Sequence, residues 1–247
     1  MKYLLILGAK SGIAKALAHK YASKGYNLYL AARNIGVLKA DANDIKIRYQ
    51  VDVKTIEFDA IDFPSHKSFY ENLEPKPKGV IVAFGYLGNQ KNSQNNFVEA
   101  KRVIDINFTG AVSILEIIAK DFEARREGFI IGISSGAGDR GRVSNYIYGS
   151  AKAGFSAYLS GLRNRLSKSN VHVMTVKPGV VNTPMIKDAI KEMNLPAILI
   201  AKPEDVVKDI YNAQVKGKDI LYTRWFWKYI MMVIKCIPEP IFKRLSL

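Results

Sequence analysis

The sequence predicts an α/β fold: a Rossmann-like doubly wound parallel sheet in three layers (α/β/α), with a C-terminal amphipathic helical appendage. Three observations carry that expectation. Short apolar runs alternate with helical patterns along most of the 247 residues, enough for six or seven strands. The first run ends in a Gly-rich turn that opens a helix, an arrangement suited to holding a phosphate group. Near the middle of the chain, a strand is followed by Tyr148 and Lys152 at the start of another helix.

Residues 3–8 (YLLILG) form a continuous apolar run bounded by glycine, as a strand buried on both faces requires. Gly8-Ala9-Lys10-Ser11-Gly12-Ile13-Ala14 follows and leads into a helix capped by Gly25. Backbone amides of such a turn, together with the helix N-terminus, bind a pyrophosphate. A second strand, 26–33, ends in Arg33, where the adenosine ribose of a dinucleotide would lie. An acidic residue there binds a free 2′-hydroxyl and a basic one favours a 2′-phosphate, so Arg33, helped by Lys10, points to NADP(H) over NAD(H).

Residues 34–49 read as a polar helix and 51–58 as a third strand, closed by Asp59-Ala-Ile-Asp62. A carboxylate there, such as Asp59, or a nearby amide is placed to contact an adenine amine. A helix over 65–73 and a Pro-Lys-Pro-Lys turn precede the fourth strand, 79–85, whose final Gly85 lets the chain pass close to a cofactor. Residues 88–96 read as a polar loop, and 97–127 as one long helix carrying Asn107 among Val103, Ile104, Ile106 and Phe108. A buried asparagine needs partners, so Asn107 is either a structural bridge or part of a proton relay.

The central strand, Ile130 to Ile133, runs into Ser134, Ser135 and a Gly-rich loop before Tyr148-Gly-Ser-Ala-Lys152. Residues four apart on a helix share a face. A cation beside a phenol favours the phenolate and lowers its pKa, so Tyr148 can exchange a proton with a carbinol oxygen near neutral pH. Ser135 is placed to hydrogen-bond the same oxygen. The helix ends near Lys168, and a sixth strand, 171–179, leads to Val180-Val181-Asn-Thr183. The segment 183–201 is irregular and apolar-flecked, suited to covering a substrate. Pro203 starts another helix, and a last short strand ends at Thr223.

These residues together resemble the short-chain dehydrogenase/reductase family over residues 1–223. Five motifs fall in that family's order: Gly8-x-x-x-Gly12-Ile13, Asn107, Ser135, Tyr148-x-x-x-Lys152 and Pro178-Gly179-x-Val181-x-Thr183. The resemblance selects Ser135, thirteen residues before Tyr148, over Ser134. It selects Tyr148 over Tyr146, which has Ser150 four residues on. It implies that Tyr148 acts as general acid in ketone reduction and that Lys152 binds the nicotinamide ribose and lowers the pKa of Tyr148. Ser135 would polarise the carbonyl, and Asn107 would hold a water connecting Lys152 to solvent. It also implies that Pro178, Gly179, Val181 and Thr183 lie near the nicotinamide and that the protein forms a homo-oligomer. Three positions depart from the pattern: Ala14 replaces the third glycine, Leu7 a threonine, and Ala83-Phe84-Gly85 an Asn-Asn-Ala-Gly run. The last change removes asparagine side chains that help hold the sheet and cofactor.

Composition narrows the remaining choices. A single cysteine, Cys236, excludes an intramolecular disulfide and suits a reducing, cytoplasmic compartment. The apolar start reads as a strand, with no pattern of a signal peptide, and no run is long enough to span a bilayer. The formal charge of +15 is scattered and no nucleic-acid motif appears, so nucleic acid is not an expected partner. His19, His66 and His172 are isolated, so no metal site is expected.

Residues 1–223 are thus read as one NADP(H)-binding catalytic domain, and 224–247 as an aromatic, basic, amphipathic segment. That segment holds both tryptophans and five basic residues against one acidic. It suits a peripheral membrane contact through 225–245, at the cytoplasmic face, or packing on the domain or a second subunit. The expected activity is NADPH-dependent reduction of a small-molecule or lipid-linked ketone, such as a polyprenyl-phosphate keto-sugar. The alternatives are a soluble 3-oxoacyl or small-ketone reductase and a non-catalytic NADP(H)-binding protein at a membrane.

Overall fold

β1 (Tyr3–Leu7) is buried along its whole length because a parallel neighbour flanks it on each side. In this computed structural model, which describes residues 2–186 and 196–245, it lies third in a seven-stranded sheet. The others are β2 (Asn27–Ala32), β3 (Val53–Glu57), β4 (Gly79–Val82), β5 (Gly128–Ile133), β6 (Val171–Pro178) and β7 (Ile220–Thr223). Their spatial order is β3-β2-β1-β4-β5-β6-β7, with every pairing parallel. Chain order therefore reverses between β1 and β4, which opens a crevice above their C-terminal ends.

Parallel strands need crossovers, and the crossovers are helices that bury both faces of the sheet. On one face, α1 (Gly12–Ala22) and α2 (Lys39–Tyr49) join the later α8 (Pro203–Val215) around Leu17, Ile45 and Ile210. On the other, α3 (Ser65–Glu71), α6 (Gly110–Arg125) and α7 (Tyr146–Leu166) pack around Tyr70, Ile114, Leu115, Phe155 and Leu159. The doubly wound, three-layer expectation and the upper count of seven strands both hold.

Two local readings are corrected. The polar run 88–96 is not all loop: α4 (Gln90–Asn95) forms there, because the Asn89 side chain accepts the Asn92 N–H and caps it. The long helix expected over 97–127 is divided into α5 (Phe97–Ile104), a π-helical turn (Asp105–Thr109) and α6, ending at Arg125. The wide turn coincides with the inward-pointing Asn107, as π-bulges do at sites where one side chain must be re-aimed. The segment expected to cover a substrate, 183–201, falls in large part outside the described residues.

The chain ends in α9 (Phe226–Cys236) and the short α10 (Glu239–Phe242). Trp227, Met231 and Phe242 are buried against the sheet domain. The docking is held by Arg140, on the loop after β5. Its guanidinium donates to the Ile234, Lys235 and Ile237 carbonyls, to Glu239, and stacks 3.6 Å from the Phe242 ring. A cation there satisfies carbonyls that a helix C-terminus leaves open. Arg140→Ala should therefore weaken tail docking by about 2 kcal/mol, raising the open population about 30-fold. Limited trypsinolysis at Lys228 and Lys235 tracks that population, and an unchanged cleavage rate would contradict the staple.

Candidate active site

Gly8 ends β1 with φ +83°, and a Cβ there would lie 2.4 Å from the Phe84 backbone nitrogen. Only glycine allows the chain leaving β1 to pass so close to the chain leaving β4. Ser11 then caps α1, its Oγ accepting the Ala14 N–H at 3.1 Å. The first turn holds no acidic residue, and Lys10 lines the cleft beside it. Open amides, a positive helix end and a lysine fit a pyrophosphate. Ala14, in place of a third glycine, is fully buried, so its methyl group is accommodated between helix and sheet.

Arg33 stands exposed directly after β2. Asp59 follows β3, half-buried, with Oδ1 accepting the Ile61 N–H. The Asp59 carbonyl lies 3.0 Å from Nε2 of buried His66, whose Nδ1 is 2.9 Å from Ser113 Oγ. A carbonyl can only accept, so Nε2 donates to it. That bond anchors the loop on which Asp59 sits.

The cleft, about 270 Å³, opens above the C-terminal ends of β1, β4, β5 and β6. Of the residues singled out from sequence, Lys10, Ser11, Gly12, Ile13, Gly85, Ser135, Tyr148, Lys152, Pro178, Gly179, Val181 and Thr183 line it. Gly8, Arg33, Asp59 and Asn107 do not; they flank it or brace its walls.

Tyr148 and Lys152 lie in the first two turns of α7, with Lys152 Nζ 5.8 Å from the Tyr148 ring centre. Lys152 is 3% exposed and donates to the Ile133 carbonyl at 3.1 Å. Ser134 and Ser135 have separate tasks. Ser134 also lines the cleft, but its Oγ is engaged by the Lys152 carbonyl and Ser156 Oγ. Ser135 lies at the cleft, its Oγ accepting the Ala137 N–H at 3.1 Å, and it is near enough to Tyr148 to favour the phenolate.

Asn107 is buried and bound to backbone three times: Oδ1 accepts the Tyr86 N–H, and Nδ2 donates to the Tyr86 and Val103 carbonyls. It bridges α5 to the strand-β4 loop. Burial pushes the Tyr148 phenol up to about 12, partly offset by Ser135, and pushes Lys152 down to about 8. The lowered phenol expected from the neighbouring lysine is not present in this state. The apolar cleft penalises both charges, and the ammonium turns toward Ile133.

Several lining residues were not singled out from sequence: Phe84, Leu87, Arg142, Asn145, Trp227 and Met231. Phe84 stands where the family pattern has asparagine, and packs on Phe58 at 5.8 Å between ring centres. Trp227 lies so close to Gly179 that a Cβ there would meet its indole at 2.1 Å. The tail is therefore a wall of the cleft. Neither periodicity nor spacing signals that contact.

A family model described as short chain dehydrogenase matches residues 2–194. An uncharacterized oxidoreductase of Mycobacterium tuberculosis is 31% identical over 245 residues, covering 98% of this chain and 96% of its own length. A solved short-chain dehydrogenase from Sphingobium yanoikuyae, in complex with NADPH, superposes with a TM-score of 0.85 at 21% identity, over 99% of this chain and 96% of that one. An actinorhodin polyketide ketoreductase variant with NADPH superposes with a TM-score of 0.81 at 20% identity, over 92% and 97%.

The lowered Lys152 value has a consequence for stability. Between pH 8 and the ordinary lysine value of 10.5, the folded protein has released a proton that the unfolded chain keeps. Stability therefore rises with pH across that window. From pH 7 to 9.5 the wild type should gain about 2 kcal/mol over Lys152→Met. Urea midpoints at the two pH values measure the difference, and parallel profiles would show that the ammonium is not desolvated.

Proposed function

The chain belongs to the short-chain dehydrogenase family, and from that premise we propose that it is an NADP(H)-dependent reductase converting a ketone to an alcohol. The observation that carries this reading is the convergence of Tyr148, Lys152 and Ser135 in a cleft whose other end is a phosphate-binding turn. Lys10, Ser11, Gly12 and Ile13 would hold the pyrophosphate, and Pro178, Gly179, Val181 and Thr183 the nicotinamide side. Bound NADPH supplies the hydride.

Tyr148 is protonated at neutral pH because burial raises its pKa, so it stands as the acid that delivers a proton to the carbonyl oxygen. Ser135, which lowers the phenol's pKa from the same cleft wall, would orient the same oxygen. Lys152 has three donors, of which Ile133 takes one, leaving the others for ribose hydroxyls. When its charge is retained beside Tyr148, it favours the phenolate left after proton delivery.

A Cβ at Gly85 would lie 3.0 Å from Asn107 Oδ1 and 3.6 Å from Lys152 Nζ. Glycine leaves a gap between two polar groups there. A water in that gap would connect Lys152 outward, which reconciles the bridging and relay roles of Asn107.

Arg33 and Lys10 favour the 2′-phosphate of NADP(H), in keeping with the NADPH complexes of the two solved structures. The substrate is read as amphiphilic and lipid-linked, of the kind exemplified by a polyprenyl-phosphate keto-sugar. Leu87, Met185, Ile186, Trp227 and Met231 make its end of the cleft apolar. The outer side of α9 supports docking at the cytoplasmic face of a membrane. Trp225 is 72% exposed there, with Tyr229, Met232, Val233 and the lysines 228 and 235. The same apolar face favours a second reading, a soluble 3-oxoacyl or small-ketone reductase that pairs with a second copy through α9.

Tyr148→Phe should reduce NADPH oxidation by at least about 10³-fold while NADPH binding by fluorescence is retained. Retained turnover would remove the assigned mechanism, and no turnover in the wild type with any ketone would favour a cofactor-binding protein without chemistry. Arg33→Ala should raise KM for NADPH at least about tenfold with KM for NADH unchanged. Equal changes would sink the preference. Sedimentation with anionic vesicles at physiological salt should be lost in Met232→Asp, whereas a vesicle-independent dimer lost in that variant would support the second reading.

A further inference from the structure

Arg142 sits on the loop between Ser135 and α7, and it lines the cleft without a carboxylate partner among the described residues. Its Nε is buried and unpaired, and its Nη2 donates only to the thioether of Met231, at 3.2 Å, a weak acceptor. The nearest acid, Asp139, is already engaged by Lys177 Nζ and by the Tyr222 hydroxyl. A guanidinium partly removed from water without an anion is costly, and burial lowers its pKa, partly offset by Asp139.

A second orphan donor lies on the same wall: Trp227 Nε1 is buried with no partner. Asn145 Oδ1 is a third unpaired atom, and its amide turned over presents Nδ2 instead. Two donors, one of them charged, have no hydrogen-bond acceptor among the described residues beyond the weak Met231 thioether.

Which end of the cleft they serve follows from the sheet order. Arg33 follows β2 and the phosphate turn follows β1. Arg142 follows β5 and touches the tail helix, which follows β7. The donors therefore lie across the switch point from the nucleotide phosphates, beside Tyr148.

We propose that Arg142, with Trp227 Nε1, recognises an oxyanion carried by the substrate, so that the substrate class is an amphiphilic ketone bearing a carboxylate or phosphate. Guanidinium groups bind both oxyanions through paired N–H donors. The neighbouring Met231 and Leu87 take the apolar part. The ketone half of this inference rests on the reductase reading; the anion half rests on the orphan donors alone.

The test reads binding, so it does not depend on turnover. In a Trp225→Phe background Trp227 is the sole tryptophan, and its fluorescence reports ligands in the NADP⁺-loaded enzyme. The probes are 4-oxodecanoate against its methyl ester, and dodecyl phosphate against dodecanol. The parent should bind at least one anion about 10- to 100-fold more tightly than its neutral partner. The preferred pair tells carboxylate from phosphate. Arg142→Met should erase that ratio while leaving the neutral affinity unchanged, and Arg142→Lys should restore part of it.

No anion preference in the parent for either pair would overturn the proposal without any variant being needed. Equal weakening of charged and neutral probes in Arg142→Met would also overturn it, since that marks a structural role. An anion preference that depends on Arg142, in an enzyme that reduces no ketone, would keep the anion site and remove the reductase reading.

Discussion

Uncompensated positive charge is the constraint around which this molecule is arranged. Lys10, Arg142 and Lys152 line one cleft, and its described lining includes no aspartate or glutamate. Lys152 is buried on the carbonyl of Ile133, and its own backbone carbonyl is braced by Ser134 and Ser156. A buried charge such as that of Lys152 costs several kcal/mol unless an anion pairs with it, whereas Lys10 is exposed and Arg142 partly so. The sheet, helices and tail hold them in place nonetheless. The cost is offset by packing elsewhere, and an anionic ligand that paired with these charges would add to the stability of the fold.

The parallel order explains how residues so far apart in sequence meet. Every strand delivers its C-terminal end to the same edge, and the reversal at β1 and β4 prevents the crossovers from closing over it. Gly8 tightens this junction by admitting the Phe84 backbone, and Gly85 keeps an opening between Asn107 and Lys152. The π-helical turn at 105–109 points Asn107 at the Tyr86 backbone, fixing the β4 loop from the opposite face. Three local departures from regular structure thus serve one site, as expected where geometry is dictated by chemistry.

What the sequence makes legible is what short spacing encodes. The i, i+4 relation of Tyr148 and Lys152 survives folding unchanged because a helix carries it. The strand pattern survives because buried parallel strands must be apolar throughout. The π-turn was not legible, since Asp-Ile-Asn-Phe-Thr carries no breaker and the wide turn is imposed by contacts with the β4 loop. Nor was α4, because asparagines suit both a loop and a cap. Arg142 and Met231 are 89 residues apart, and no local rule brings them together.

The tail shows the limit of composition most clearly, and also what the fold adds. Trp225 and Trp227 are two residues apart and chemically identical, yet one is exposed and the other closes the cleft. Aromatic and basic content alone suits a membrane surface, a partner or the core. Packing assigns the two faces of α9 to different tasks. Its inner face is fixed by Arg140, on the loop that also carries Ser135 and Arg142. One loop therefore carries Ser135 and Arg142 to the cleft and supplies the staple for the helix that walls it. Whatever engages the outer face of α9 acts on a helix that cannot shift without moving Met231 against Arg142 and Trp227 against Gly179. On the proposed reading, surface docking and substrate recognition are mechanically joined through this helix.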